Sequence, residues 1–205
     1  MMLDDLFDWE IADTSDLACG PVPFAEARPG SGSGRSAAGG GSAGSIDDLR
    51  QQLIALLEGH GAHMPFDAAV ADFPADAINR EPPNVPYTPW HLVEHIRRTQ
   101  HDIVEYIRDP AHQSPPWPAG FWPERGASTD APGFAASVQS YRRNLAELVA
   151  IVRDPTVDLF AVLPGTPGHT VLREARLAGD HTSYHVGEFA SLRQVMGTWP
   201  ADRSG

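Results

Sequence analysis

The chain has 205 residues, of which 41% are hydrophobic, and a formal net charge of −12. This is enough for one globular domain with an appendage, while the acidic balance and the lack of a basic stripe argue against nucleic acid as a partner. No apolar stretch approaches the roughly 20 residues that cross a bilayer, so no membrane association is expected. The single cysteine, Cys19, excludes an internal disulfide, and the acidic amino terminus is unlike a secretory signal; both favour the cytoplasm.

The first 45 residues differ in composition from the rest of the chain. Residues 1–30 hold seven acidic residues and one arginine around a few large apolar side chains, and residues 31–45 contain only small residues and Arg35. We interpret them as an acidic aromatic peptide and a flexible glycine-serine linker, the latter natural or engineered. The peptide is either a disordered tail or a fused ligand or substrate. In the second case Cys19 is a candidate tethered thiol.

Residues 46–205 carry the spacing of apolar side chains that is typical of helices. Capping residues and proline or glycine stops divide this spacing into four predicted helices. The first runs from its cap at Ser45 to Gly59, the second from Thr88 to Asp109, the third from about Phe134 to Val152, and the fourth from Thr170 to Met196, with Gly197 as its carboxy-terminal cap. Four helices without an alternating strand pattern predict an all-α four-helix bundle.

Two connections in this domain are rich in proline. Residues 64–86 are predicted to be mostly loop, with a short helix at about Phe66–Asp72. Residues 110–132 contain six prolines together with Trp117, Phe121 and Trp122, and are predicted to form a rigid aromatic loop. These aromatic side chains are candidates for the wall of a pocket, although packing against the end of the bundle is an equal alternative.

Two histidine pairs stand out because each has i, i+4 spacing on a predicted helix. His91 and His95 lie on the second helix, and His181 and His185 on the fourth, so each pair can direct two imidazoles to one side. Imidazole is a ligand for zinc, nickel, copper and ferrous iron. Surface or core histidines are the alternative. Thr182 stands where a zinc protease has its catalytic glutamate, so that class is excluded.

Three further side chains lie close to the second pair in sequence. Glu188 follows His185 by three residues and Glu174 precedes His181 by seven, so either could act as a base or accept a hydrogen bond from a ligand histidine. Tyr184 adjoins His185 and is a candidate pocket residue. Solvated surface positions are the alternative for both glutamates.

Two long segments resemble a known family. "PYTPWHLVEHIRRTQHDIVEYIRDP" is similar to the second helix of DinB-like metalloproteins, and "REARLAGDHTSYHVGEFASLRQVMGTWP" is similar to their last helix. The resemblance covers about residues 46–200 and implies a bundle, commonly dimeric, that binds a divalent metal through three histidines. By position these are His95, His181 and His185. His91 and Glu188 stand where relatives often have glutamine, so His91 is a neighbour or a fourth contact at most.

The resemblance also implies classes of activity. Relatives include metal-dependent transferases and isomerases that use a low-molecular-weight thiol, with zinc or nickel favoured and iron or copper as alternatives. A metal-dependent hydrolase is the nearest rival, because the same open site would activate water. A third reading is a module that binds or modifies a peptide, its own acidic segment included. The expected partners are therefore a small molecule or a peptide, and a second copy of the chain.

Overall fold

The computed structural model describes residues 45–165 and 167–201. The acidic peptide, Cys19 and all of the linker except Ser45 lie outside these residues. The described part is helical, with five α-helices, one 3₁₀ turn at Ala75–Ala77 and no strand. The helices are α1 (Ile46–Leu57), α2 (Phe66–Val70), α3 (Pro89–Arg108), α4 (Ala131–Arg153) and α5 (Val171–Met196). The predicted all-α helical bundle is confirmed, with α1, α3, α4 and α5 as its long helices.

Over 45–165 and 167–201, none of the helices combines the length and the apolar character that a transmembrane segment requires.

The predicted capping residues begin the long helices. Ser45 forms a capping box with Asp48 at the start of α1, and Thr88 forms one with His91 at the start of α3. The Thr170 side chain accepts from the backbone N–H of Arg173 at the start of α5. That helix ends at Gly197, whose φ of 65° is the left-handed conformation that glycine adopts without steric cost.

Helix α4 begins earlier than its apolar spacing predicts. The sequence places its start near Phe134, whereas the structure begins it at Ala131. Asp130 caps the helix by accepting from Gly133 N at 2.8 Å, and Pro132 lies in the first turn, where its missing N–H costs nothing. The last proline of the aromatic loop therefore belongs to the helix.

The core consists of two apolar clusters stacked along the bundle. The first packs the amino-terminal halves of α3 and α4 against the carboxy-terminal half of α5, and it includes Leu92, Ile96, Val138, Val186 and Phe189. The second packs α1 against the opposite halves of the same helices and includes Leu53, Val104, Leu148, Val152 and Ala175. Helices α3 and α4 therefore run in one direction and α5 in the other.

Polar side chains lie where the two clusters meet. Gln100 of α3, Asn144 of α4 and Thr182 of α5 are all buried at this level. Tyr141 borders them; burial raises the pKa of its hydroxyl to about 12, although hydrogen bonds to Thr182 and Gln100 oppose the rise. The middle of the bundle is thus a polar layer between two apolar ones, and the candidate metal ligands belong to it.

Candidate metal centre

Three histidines from two helices converge in this polar layer. His95 comes from α3, and His181 and His185 are one turn apart on α5, which runs antiparallel to α3. One nitrogen from each ring can be chosen so that all three lie within 4.8 Å of one another. His95 is 2% exposed and His185 is 9% exposed. His95 is 86 residues from His181 and 90 from His185 in the sequence, so it is the fold that brings His95 to the pair.

Hydrogen bonds orient two of the three rings. His95 Nδ1 is 3.2 Å from the carbonyl oxygen of Phe121, and because a carbonyl can only accept, Nδ1 carries the hydrogen. His185 Nδ1 is 2.6 Å from Glu188 Oε2, and the same tautomer lets its N–H donate to the carboxylate. In both neutral rings Nε2 then keeps its lone pair.

The Nε2 atoms face each other at short distances. His95 Nε2 is 3.2 Å from His185 Nε2 and 3.0 Å from His181 Nε2. Facing lone pairs repel unless a proton or a cation lies between them. Metal–nitrogen bonds of about 2.0–2.1 Å place neighbouring ligand atoms roughly 2.8–3.0 Å apart in an octahedral site and roughly 3.3–3.4 Å apart in a tetrahedral one. Both measured separations fit a divalent cation bound by these nitrogens.

Burial keeps all three rings neutral near pH 7. Desolvation lowers the pKa of His95 to about 4, assisted by the nearby charge of Arg98 and opposed by the Phe121 carbonyl. Burial and the neighbouring His95 lower the pKa of His185 to about 3. Burial, His185 and His95 lower the pKa of His181 well below its usual value. A cation would therefore meet three unprotonated imidazoles at neutral pH.

Glu188 supports His185 from the side away from the cluster. Its Oε2 contacts His185 Nδ1, and its Oε1 accepts a hydrogen bond from the hydroxyl of Tyr87. Burial raises the pKa of Glu188 to about 7. Because Nδ1 and Nε2 point to different sides of the imidazole, Glu188 orients the ring and sets its basicity rather than facing the space between the histidines.

The loop between α3 and α4 covers His95 with aromatic side chains. The Trp122 ring stacks on the His95 ring, with centroids 3.9 Å apart and an angle of 7° between the planes. Trp117 approaches His95 edge-on at 6.2 Å and is 46% exposed. The loop that was predicted from prolines therefore lies directly against the candidate ligands.

A family model matches the part of the chain that holds the histidine group. The family model of the DinB superfamily matches residues 58–189. The chain belongs to the DinB superfamily. The match contains His95, His181, His185 and Glu188, and it confirms the resemblance seen in the sequence. Comparisons with curated proteins and with solved structures find no match.

The remaining sequence candidates of this DinB-superfamily protein lie beside the histidine group. His91 is 2% exposed; its Nδ1 accepts from Thr88 N, so its Nε2–H donates to the Ala127 carbonyl oxygen at 2.8 Å. Both ring nitrogens are thus engaged, and His91 caps α3 instead of adding a fourth contact. The Tyr184 ring packs edge-on at 4.9 Å from His185 and is 65% exposed.

Glu174, the other candidate on α5, belongs to a different cluster. It is buried and bonds Arg173 at 2.6 Å and His169 at 3.0 Å, near the start of the helix. It therefore anchors the connection that enters α5 and contributes nothing to the three-histidine group.

Sequence reasoning missed two supporting groups. Tyr87 reaches Glu188 from just before the α3 cap, and the Phe121 carbonyl fixes the tautomer of His95. The sequence feature that could have drawn attention to Tyr87 is its position directly before Thr88, the residue that caps α3. No side-chain pattern can reveal a backbone carbonyl that accepts from a histidine.

Proposed function

We propose that this DinB-superfamily protein is a metal-dependent enzyme that joins a low-molecular-weight thiol to an electrophilic substrate. The observation that carries the proposal is the convergence of three ring nitrogens, from His95, His181 and His185, within 4.8 Å of one another, with His95 Nε2 3.0 Å from His181 Nε2 and 3.2 Å from His185 Nε2. Three protein ligands leave at least one coordination position for an exogenous group.

A divalent ion bound by these nitrogens would lower the pKa of a thiol and so supply the nucleophile near neutral pH. The new bond joins sulfur to the electrophilic atom of the substrate, while the bond to the leaving group breaks and the thiol proton departs with that group or with water. The rings of His95 and His185 are held in one tautomer throughout, because Phe121 and Glu188 bind their Nδ1 hydrogens.

The aromatic loop has two roles in this proposal. Trp122 fixes the plane of His95 by stacking on it, and the half-exposed Trp117 offers an apolar edge to a substrate beside that ring. The same side chains restrict the access of water to His95, which favours attack by sulfur over attack by water. Glu188 acts as a positioning residue for His185 and not as the base.

The identity of the metal is proposed from ligand chemistry. Three imidazoles suit zinc and nickel, and they also accept iron or copper. We favour zinc or nickel because the described residues offer no thiolate to the cluster and Glu188 is already bound to His185 and Tyr87. We further propose a cytoplasmic location, where low-molecular-weight thiols are kept reduced.

Three other proposals concern partners and reaction class. A hydrolase would use the same histidines to activate water and is the principal rival. The segment 1–30, with Cys19, is proposed as a tethered ligand or substrate; cleaving the linker and titrating the released peptide tests this, and no saturable binding would refute it. A homodimer is proposed from the resemblance alone, and sedimentation of the full chain would test it.

Turnover of a thiol panel tests the proposed reaction. The metal-loaded full chain is incubated with small thiols and activated halide, epoxide or isomerisable substrates, and both free thiol and product are measured. We expect metal-dependent thiol consumption that His181→Ala abolishes and that His60→Ala, which changes an exposed histidine away from the cluster, leaves unchanged. Equal rates with and without metal would contradict the proposal. Metal-dependent hydrolysis of esters or amides without any thiol would establish the rival.

A further inference from the structure

A surface cavity lies beside the metal centre, between α3 and the aromatic loop. Its volume is about 340 Å³, and its polar lining comes from Arg97, Arg98, His101, Asp102 and His112. Pro115 and Gly120 of the loop complete it. Two arginines and two histidines around one cavity are unexpected in a chain with a net charge of −12.

Both arginines are held in place by one buried carboxylate but keep free donors. Arg97 Nε and Nη2 bind Glu94 at 2.9 and 2.7 Å, and Arg98 Nε binds the same carboxylate at 3.0 Å. Arg98 Nη1 also donates to the Trp122 carbonyl oxygen at 3.0 Å. Within residues 45–165 and 167–201, Arg97 Nη1 and Arg98 Nη2 have no hydrogen-bond acceptor. These donors are oriented by fixed guanidinium planes.

Both carboxylate oxygens of Asp102 in the cavity already accept a hydrogen bond from the protein. Asp102 Oδ1 binds His112 Nε2 at 2.7 Å, and Asp102 Oδ2 accepts from Ser114 Oγ at 2.9 Å. His112 Nδ1 and both ring nitrogens of His101 make no hydrogen bond to the part of the chain that the structure describes. Because His112 Nε2 donates to Asp102, its Nδ1 is an acceptor in the neutral ring, and neutral His101 offers one N–H donor and one acceptor. The donors in excess therefore come from the two guanidinium groups, although the charges of Glu94 and Asp102 formally balance those of the two arginines.

We propose that this cavity binds a small oxyanion, a carboxylate or a phosphate group of a low-molecular-weight ligand. A planar or tetrahedral oxyanion accepts several N–H bonds at once, which matches two pre-oriented guanidinium edges with the N–H of His101 beside them. A volume of about 340 Å³ accommodates such a group with several attached atoms. The overall acidic charge disfavours a nucleic-acid backbone as the source of the phosphate.

The position of the cavity connects it with the proposed reaction. Arg98 is one turn beyond His95 on α3, and Asp102 is seven residues beyond, so the cavity extends about 5–10 Å along the helix from a candidate metal ligand. The Trp122 residue joins the two, because its ring stacks on His95 and its carbonyl binds Arg98. In an extension that rests on the proposed function, the anion is the charged end of the thiol or of its electrophilic partner.

Anion titration of the full chain tests the site independently of any reaction. Sodium phosphate and sodium succinate are added at constant ionic strength to ¹⁵N-labelled protein, with and without bound metal, and the Arg Nε and His ring resonances are followed. We expect saturable shifts of Arg97, Arg98 and His101 with millimolar affinity in both forms. The anion that binds more tightly identifies the source as phosphate or carboxylate.

Three variants make the outcome specific. Arg98→Gln should weaken binding about tenfold, and His101→Gln, which removes an exposed ring from the cavity lining, should weaken it severalfold. Arg108→Gln removes the same charge from an arginine outside the cavity that pairs with Glu147, and it should change affinity less than about twofold. Absence of saturation, equal effects of Arg98→Gln and Arg108→Gln, or binding that requires metal and disappears with His181→Ala would overturn the proposal. The last result would leave the metal centre intact as a separate finding.

Discussion

The two ring nitrogens of His185 have different partners: Nδ1 bonds Glu188, and Nε2 faces the other candidate metal ligands. Nδ1 is 2.6 Å from the Glu188 carboxylate, which in turn is bound by Tyr87, and Nε2 faces His95. A carboxylate behind a ligand histidine fixes its tautomer and increases its basicity, and removing such a partner typically lowers metal affinity 10–100-fold. We therefore expect Glu188 to affect how tightly the protein binds a metal ion, but not how many ions each chain binds.

Replacement of Glu188 tests this role. We expect Glu188→Ala to weaken metal affinity about tenfold and Glu188→Gln to have a smaller effect, because the amide oxygen can still accept from Nδ1. Competition with a chromophoric chelator measures the change. Glu147→Gln, at a half-exposed glutamate paired with Arg108, is the matched control and should leave affinity unchanged. Unaltered affinity in Glu188→Ala would show that Glu188 is only a neighbour of the site.

The sequence identified the histidine side chains of the candidate site, but it could not identify the backbone carbonyl groups that bond them. The i, i+4 pair at His181 and His185 follows from helical geometry, and the resemblance selected His95 over His91. The structure shows why His91 is not available as a ligand: one ring nitrogen accepts from Thr88 N in the α3 cap, and the other donates to the Ala127 carbonyl oxygen. Which member of a pair turns toward another helix depends on tertiary packing, which a single helical period does not encode.

Helix α5 is the element on which the candidate site depends. Two of the three candidate ligands lie on it, and it packs against α1 through Gly179. A Cβ built at that glycine would lie 2.6 Å from Leu56 Cγ, whereas one built at Gly187 meets no atom within 4 Å. Gly179 therefore permits the close approach of α1, while Gly187 is an exposed helix position with no such constraint.

The two glycines form a matched pair for mutation. Gly187→Ala should raise the free energy of unfolding by up to about 1 kcal/mol, because alanine is the better helix former. Gly179→Ala gains the same propensity but forces Leu56 to move, and overpacking costs about 1–3 kcal/mol, so we expect no stabilisation or a net loss. Chemical denaturation of the metal-free protein measures both. A stabilisation by Gly179→Ala equal to that by Gly187→Ala would refute the close packing of α1 on α5.

The elements themselves were largely predictable. Caps at Ser45, Thr88 and Thr170 and the stop at Gly197 were read from the sequence and recur in the structure. The start of α4 was placed too late because Pro132 was taken as part of the loop, whereas it occupies the first turn. The contacts of the proline-rich loop with His95 depend on tertiary structure and on an irregular backbone, so the spacing of residues in the sequence does not predict them.

Over the whole described bundle, a polar layer between two apolar clusters has a consequence for stability. In this layer the metal-free protein holds three histidines whose pKa values are lowered by burial, to about 4 for His95 and about 3 for His185, and well below the usual value for His181. Their unfolded pKa is about 6.5. Between these limits the unfolded chain binds more protons than the folded one, so stability falls as pH decreases below about 6.5.

Glu188 acts in the opposite sense over part of this range. Its folded pKa is raised to about 7 from an unfolded value of 4.5, so its contribution is present below pH 4.5 and is lost as pH rises through 7. Three histidines outweigh one glutamate. We therefore expect the metal-free protein to lose stability between pH 6.5 and 4.5, by up to about 1.4 kcal/mol per pH unit for each uncompensated proton.

Urea unfolding across this pH range measures the slope. His181→Gln should flatten it, because one buried imidazole no longer titrates, and His60→Gln, at an exposed ring, should not. A metal-free protein whose stability is constant or increases from pH 6.5 to 4.5 would contradict the assigned burial of the histidines. Bound metal should displace the loss to lower pH, since protons then compete with the cation for the same nitrogens.

We propose that His95, His181 and His185 together hold one divalent ion, and metal content per chain in matched variants tests this. The full chain is loaded with zinc or nickel, dialysed and analysed by mass spectrometry, alongside His95→Ala, His181→Ala, His185→Ala and the control His60→Ala. We expect about one ion per chain in the wild type and the control, and near-complete loss in each of the other three. Full retention of the ion in any of those three variants, or no binding by the wild type, would contradict it.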